Sequence, residues 1–194
     1  VSYFYLLYYN HMEQHLEIEY KTKIDRENHV TVYDYFPFSE PVFQENVYYD
    51  TKNQDLYKKG IMCRTRKIKD VTVLTVKEPR DYGIMEYETT LHTPLTEDEN
   101  ARSLFEEFGF NINDLVEITF SNTVRYEYKD AYGTWCLDIT QFKNHKDYEL
   151  EYELYHDEDQ AENHYYQTLK SIGIEYEAIE PKFVRALNSL KLED

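Results

Sequence analysis

At 194 residues the chain is long enough for one sizeable core and short for two full domains. Its 38 Asp and Glu against 21 Lys and Arg give a formal charge of −17, which argues against a nucleic-acid coat and against adhesion to anionic lipid. The sequence contains no apolar run long enough for a membrane helix. Its two cysteines, Cys63 and Cys136, have neither a metal spacing nor the density of a disulfide framework, so a reducing, cytoplasmic setting is expected.

Residues 1–11 lack a basic n-region and a small-residue cleavage site, and His11-Met12 has the form of a cloning junction. They are read as a leader outside the fold, with residues 12–194 as a single domain. The stretch "LEIEYKTKI" (16–24) alternates strictly between apolar and charged residues, which predicts one strand. Residues 25–36 are ambiguous: "HVTVYDYF" has strand-like composition, yet Val32, Tyr33 and Phe36 also suit a short amphipathic helix. Strand patterns rich in Tyr, Val, Thr and Ile recur at 45–51, 61–69, 71–77, 84–92, 119–129, 134–142 and 147–155. Breaks such as Lys59-Gly60, Asp81-Tyr82-Gly83 and Asp130–Gly133 separate several of them as hairpins would. Eight strands from one chain can close into a barrel. Three helices complete the reading. The first follows a capping-box match at Thr96–Glu99, the second covers 157–172 before Gly173, and the third covers 182–190 after Pro181.

Residues of equal parity share a strand face. Glu17, Glu19, Lys21 and Lys23 therefore stand together, as do Arg64 and Arg66, Thr75 and Lys77, Glu86 and Glu88, and Arg125 and Glu127. Asp138 lies mid-strand, and Glu149, Glu151 and Glu153 line the last strand. A charged strand face is ordinarily a wetted one. Here nearly every strand has such a face, and three helices are available to cover the apolar ones. Charged interiors are costly unless ions fill them. Carboxylates at i and i+2, about 7 Å apart, offer hard oxygens to a divalent cation, and neighbouring Lys and Arg offer donors to phosphate. The ligand this chemistry suits is a metal-chelated polyphosphate. The seven histidines form no HExxH or HxH cluster that would suit zinc.

The ExExK run Glu17-Ile18-Glu19-Tyr20-Lys21, together with the ordered series after it, resembles the CYTH superfamily, the triphosphate tunnel metalloenzymes. The series comprises "YYDT" (48–51), Arg64-Thr65-Arg66, "LTVKEP" (74–79), "EYE" (86–88), Arg125, Leu137-Asp138, "ELE" (149–151) and Lys182. The resemblance implies an α+β fold: a closed eight-stranded antiparallel tunnel barrel with helices packed outside, one of them over residues 25–36. It implies Glu17, Glu19, Glu149 and Glu151 as metal ligands for Mg²⁺ or Mn²⁺, with Asp138 beside them. Lys21, Arg64, Arg66, Lys77, Arg125 and Lys182 become the phosphate contacts, supported by Lys23 and Arg185. Lys21 is the catalytic candidate, and in a depressed-pKa state it would serve as a proton acceptor, a role an acidic group could fill instead. Glu86 and Glu88 would balance arginines as readily as bind metal, and Glu153 would be structural. The implied activity is metal-dependent hydrolysis of a triphosphate, inorganic triphosphate being the simplest. A class IV adenylate cyclase, a thiamine- or nucleoside-triphosphatase and a non-catalytic polyphosphate-binding module are the alternatives. The expected partner is a small-molecule triphosphate, not nucleic acid or membrane, with a homodimer left open.

Overall fold

The computed structural model describes residues 12–192, so the leader expected at 1–11 lies outside the described residues. The strands are β1 (Glu13–Glu17), β2 (Glu19–Ile24), β3 (Val42–Thr51), β4 (Met62–Ile68), β5 (Val71–Arg80), β6 (Gly83–Leu91), β7 (Leu115–Lys129), β8 (Gly133–Gln141) and β9 (Lys146–Leu154). The helices are α1 (Arg26–Tyr35), α2 (Asp55–Lys58), α3 (Glu99–Glu107), α4 (Ala161–Ser171) and α5 (Lys182–Ser189). The α+β class is as expected. All eight predicted strands are present, but the described residues form nine, in the order β1-β6-β5-β4-β3-β7-β8-β9-β2. The additional strand arises at Ile18, where "LEIEYKTKI" breaks in two. The Ile18 carbonyl accepts from the Leu154 N–H, so pairing with β9 begins there, whereas β1 belongs to the ladder with β6. The hydrogen-bonded order therefore ends at β1 and β2, and a closed eight-stranded ladder does not follow from it.

The chain divides into two compact units. One is built on Asn46–Thr119 with the strand up to Leu16, and the other on Glu17–Glu45 with the chain from Phe120 onward. In the first, β4, β5 and β6 are joined by tight hairpins that pair Ile68 with Val71 and Arg80 with Gly83. One face of these strands presents Cys63, Leu74, Val76 and Tyr87. Helix α3 covers that face with Ala101, Leu104 and Phe105 at i, i+3 and i+4. The N-cap of α3 is Asp98, which accepts from the Ala101 N–H at 2.8 Å, and not Thr96, which lies in a 3-10 turn over Leu95–Glu97. Buried Asp50 of the "YYDT" run caps α2, accepting from the backbone N–H of Leu56 and Tyr57.

In the second unit, β2, β9, β8 and the latter part of β7 present Leu150, Tyr152, Trp135 and Leu137 on one face, packed against Val32 of α1 and Ala161, Tyr165 and Leu169 of α4. Trp135 stacks on Tyr152 at 4.2 Å and on Tyr165 at 5.6 Å between centroids, each pair worth about 1 kcal/mol beyond the area it buries. Residues 25–36 do form a helix. Asp25 caps it by accepting from the Asn28 N–H at 2.7 Å, and Val32 and Phe36 at i, i+4 enter the core, which outweighs the strand-like composition. Asp130 holds the β7–β8 hairpin by accepting from the N–H groups of Tyr132 and Gly133, from Trp135 Nε1 and from the Tyr152 hydroxyl. Each unit also contains one free and fully buried thiol, Cys63 in the first and Cys136 in the second. Among the described residues no helix is long and apolar enough to cross a membrane.

Candidate functional site: a buried carboxylate cluster gripped by cations

Because strand faces alternate, the side of each unit opposite its apolar core carries the charge. In the first unit the register sets Arg64 opposite Thr75 and Thr75 opposite Glu88, and it sets Lys77 opposite Glu86. A relay follows: Arg64 Nη2 donates to Thr75 Oγ1 at 3.0 Å, and that hydroxyl donates to Glu88 at 2.9 Å. Arg66 donates to Asn46, and Lys77 Nζ lies 3.9 Å from Glu86. His15, 48% exposed, approaches the other oxygen of Glu86 at 3.3 Å. Arg64 is buried, and its Nε–H finds no acceptor among the described residues. An unsatisfied guanidinium N–H in such a place is an anion donor in waiting.

The second unit has the denser arrangement. Across β2, β9, β8 and β7 the register aligns Lys23, Glu149, Asp138 and Arg125 in one row and Lys21, Glu151 and Cys136 in the next. Asp138, Glu149 and Glu151 are all buried, and one oxygen from each lies within 4.8 Å of the others. Three cations reach them. Arg125 forks onto both Asp138 oxygens at 2.8 and 2.7 Å, hydrogen-bonds Glu151, and extends Nη1 to Glu153 at 2.7 Å. Lys182 Nζ stands 2.7 Å from Asp138, 3.1 Å from Glu149 and 3.5 Å from Glu151. Arg185, three residues further along α5, bonds Asp147 at 2.6 Å and also Glu149. Lys182 approaches Glu149 Oε1 outside hydrogen-bonding angles, so this buried oxygen accepts no hydrogen bond from the described residues.

The electrostatics follow from this crowding. Burial opposes the Asp138 charge, but Arg125 and Lys182 outweigh it and hold the carboxyl below its usual range. Burial likewise disfavours the Lys182 ammonium, and Asp138 and Glu151 reverse that, raising its pKa. At Lys21, desolvation is again the largest influence and is overcome by Glu19 and Glu151, leaving the pKa above the ordinary lysine value. The depressed state in which Lys21 would accept a proton is therefore not the state found, and Lys21 is an ammonium hydrogen-bonded to Glu19. Among the described residues, the ion pairs set Asp138, Asp147, Glu149, Glu151 and Glu153 against Arg125, Lys182 and Arg185, an excess of negative charge that suits a hard divalent ion.

Among the expected residues the second unit thus brings Asp138, Glu149, Glu151, Arg125 and Lys182 into direct contact, with Lys21 hydrogen-bonded to Glu19 on β2. Glu17 is half-buried at the end of β1, and Arg64, Arg66 and Lys77 belong to the first unit. Lys23 lies apart from the cluster: its ammonium, 49% exposed, pairs with Glu177. Arg125 directs most of its N–H donors to carboxylates. Asp147 was missed and Arg185 was held only in support, although the i, i+3 spacing of Arg185 from Lys182 was a signal that could have promoted it.

The CYTH domain family matches residues 15–184. "Putative triphosphatase YjbK" of Bacillus subtilis is 28% identical over 154 residues, which cover 73% of this chain and 79% of that protein. Among solved structures, a "putative adenylate cyclase" of Bacillus halodurans superposes with a TM-score of 0.81 at 24% identity, covering 89% of this chain and 97% of its own. HpAC1 of Hippeastrum, described as having a dominant triphosphatase activity, superposes at 0.75 with 23% identity, covering 92% and 98%. At such identities the two superpositions speak for the fold alone. With 170 consecutive residues matched and the paired acidic and basic strand faces in place, the chain belongs to the CYTH domain family.

Proposed function

We propose that this chain hydrolyses a triphosphate with a divalent cation, Mg²⁺ or Mn²⁺, and that inorganic triphosphate is its simplest substrate. One observation carries the reading: three buried carboxylates converge, one of their oxygens accepts no hydrogen bond from the described residues, and Arg125, Lys182 and Arg185 pair with them. The donor set fits a hard cation. Asp138, Glu149 and Glu151 would hold it, joined by Glu17 and Glu19 of the ExExK run. Bound there, such an ion supplies neutralisation of phosphate charge and a more acidic water.

The chain's own residues do the rest. Lys21, as an ammonium, stabilises charge on the transferring phosphoryl group and does not remove a proton. Arg64, with its unsatisfied Nε–H, takes a phosphate oxygen, and Arg66 and Lys77 add donors from the same unit. Arg125 fixes the carboxylates first and offers its remaining N–H to the anion. Lys182 is the sixth phosphate contact. Residues 12–194 are taken as one domain in this reading, and the name of the Bacillus subtilis relative supports the triphosphatase activity.

Phosphorus NMR of triphosphate, ATP and thiamine triphosphate, each with and without Mg²⁺ or Mn²⁺, tests it. Metal-dependent release of orthophosphate from triphosphate is expected. Pyrophosphate from ATP, with triphosphate untouched, would replace the hydrolase with a cyclase. Glu149→Gln should lose activity that excess metal partly restores, whereas Arg64→Ala should not recover with metal.

A further inference from the structure

We infer that Lys182 is a built-in substitute for the divalent cation: its ammonium occupies the cation's place among Asp138, Glu149 and Glu151 until metal displaces it, and once displaced it is free to bind the anion. This rests on the reading of those three carboxylates as the metal's ligands. The geometry is that of a cation in an oxygen nest. Nζ contacts one oxygen of each of three carboxylates, at 2.7, 3.1 and 3.5 Å, and those side chains converge within 4.8 Å. An ammonium and a metal ion cannot share that point.

The helix makes the exchange workable. Arg185, one turn from Lys182, grips Asp147 and the far oxygen of Glu149 and lies over the Phe142 ring. Ser189 Oγ accepts from the Asn144 N–H, which ties down the other end of α5. The helix stays anchored while Lys182 lets go. A guanidinium fork is fixed by its geometry, whereas a lysine is a point charge on a flexible four-carbon stem, so Lys182 is the member able to swing. Replacing one positive charge by two at this point also offsets the local excess of carboxylates. The freed ammonium then needs an anionic partner, and triphosphate provides one.

Two consequences follow. Metal affinity without anion is suppressed, because the ion must displace an ammonium. Metal and triphosphate also favour each other's binding by the same factor. Mn²⁺ binding, measured by calorimetry and electron paramagnetic resonance with and without a non-hydrolysable imidotriphosphate, tests both. Lys182→Met should bind Mn²⁺ about ten-fold more tightly than the unaltered chain, and the mutual enhancement by the analogue, about ten-fold before, should shrink to the share that direct metal–phosphate attraction supplies. Lys182→Met binding Mn²⁺ no more tightly, while Glu149→Gln weakens binding, would leave the metal ligands in place and overturn the substitution by Lys182. Mn²⁺ binding unaffected by Glu149→Gln would remove the ligand assignment, and this inference with it. Loss of a buried ammonium also destabilises the fold, so melting is the second measurement, with Lys182→Gln as the second variant. Mn²⁺ should raise the melting temperature of both variants by more than that of the unaltered chain. An equal or smaller rise would overturn the inference.

Discussion

Asp130→Asn isolates what one carboxylate contributes to the second unit. Asp130 receives hydrogen bonds from Tyr132 N, Gly133 N, Trp135 Nε1 and the Tyr152 hydroxyl, and His164 Nε2 stands 3.0 Å away. Burial opposes its charge, yet those bonds prevail and bring its pKa from the usual 3.8 to about 2. A displacement of that size is worth about 2.4 kcal/mol at pH 7, and allowance for water at the rim roughly halves it to about 1 kcal/mol. The sign is that of a depressed acid. The stabilisation is complete above the unfolded pKa and disappears as pH falls through the folded one, with about half gone by pH 3. Asparagine has no such titration and turns an amide N–H towards groups that are themselves donors. Urea unfolding at pH 7 and pH 3 should therefore show a stability gap that narrows by about 0.5–1 kcal/mol at the lower pH. A gap of the same size at both pH values would refute the argument, because the charge would then contribute nothing.

Three further outcomes are expected. Arg125→Met leaves Asp138 and Glu151 buried with one countercharge fewer, so urea unfolding at pH 7 should show a loss of about 3–5 kcal/mol, whereas a loss under about 1 kcal/mol would mean a merely superficial pair. Gly133→Ala would drive a methyl group into the Glu153 carbonyl oxygen, so thermal melts should show a cost of about 1–3 kcal/mol, and an unchanged melt would contradict the close approach of β8 and β9. Glu17→Gln combined with Glu19→Gln should abolish turnover in a phosphate-release assay while calorimetry still detects triphosphate binding, and wild-type turnover would mean that the ExExK acids are only a solvated strand face.

Period-two alternation made the strands legible, because a residue that packs on the core must alternate with one that does not. The same alternation concealed the break at Ile18, since the pattern runs through it and only the change of ladder partner reveals it. Thr96 and Asp98 are both competent caps in sequence, and the choice of Asp98 depends on which start lets Ala101, Leu104 and Phe105 reach the core together. Helix α1 was found by resemblance, because its own composition favours a strand. At the site, the acids Asp138, Glu149 and Glu151 could be read from parity on their strands. The bonding of Arg125 to carboxylates could not, since ion-pair choice depends on which chains are brought alongside. Asp147 escaped, and Arg185 stood only in support, because α5 is packed unlike α1 and α4: its Lys182 and Arg185 reach the charged strand face, an arrangement that helical periodicity leaves undetermined.

The two thiols give the molecule a pair of internal clocks. Cys63 and Cys136 are each 0% exposed, and burial, the largest influence on both, pushes each thiol up, so neither reacts from the closed state. Alkylation must then wait for an opening, and each cysteine reports on its own unit alone. Peptide-resolved labelling under native conditions would time the two openings separately within one sample. Equal rates would be those of a single cooperative unit, and unequal rates would show which unit opens more often.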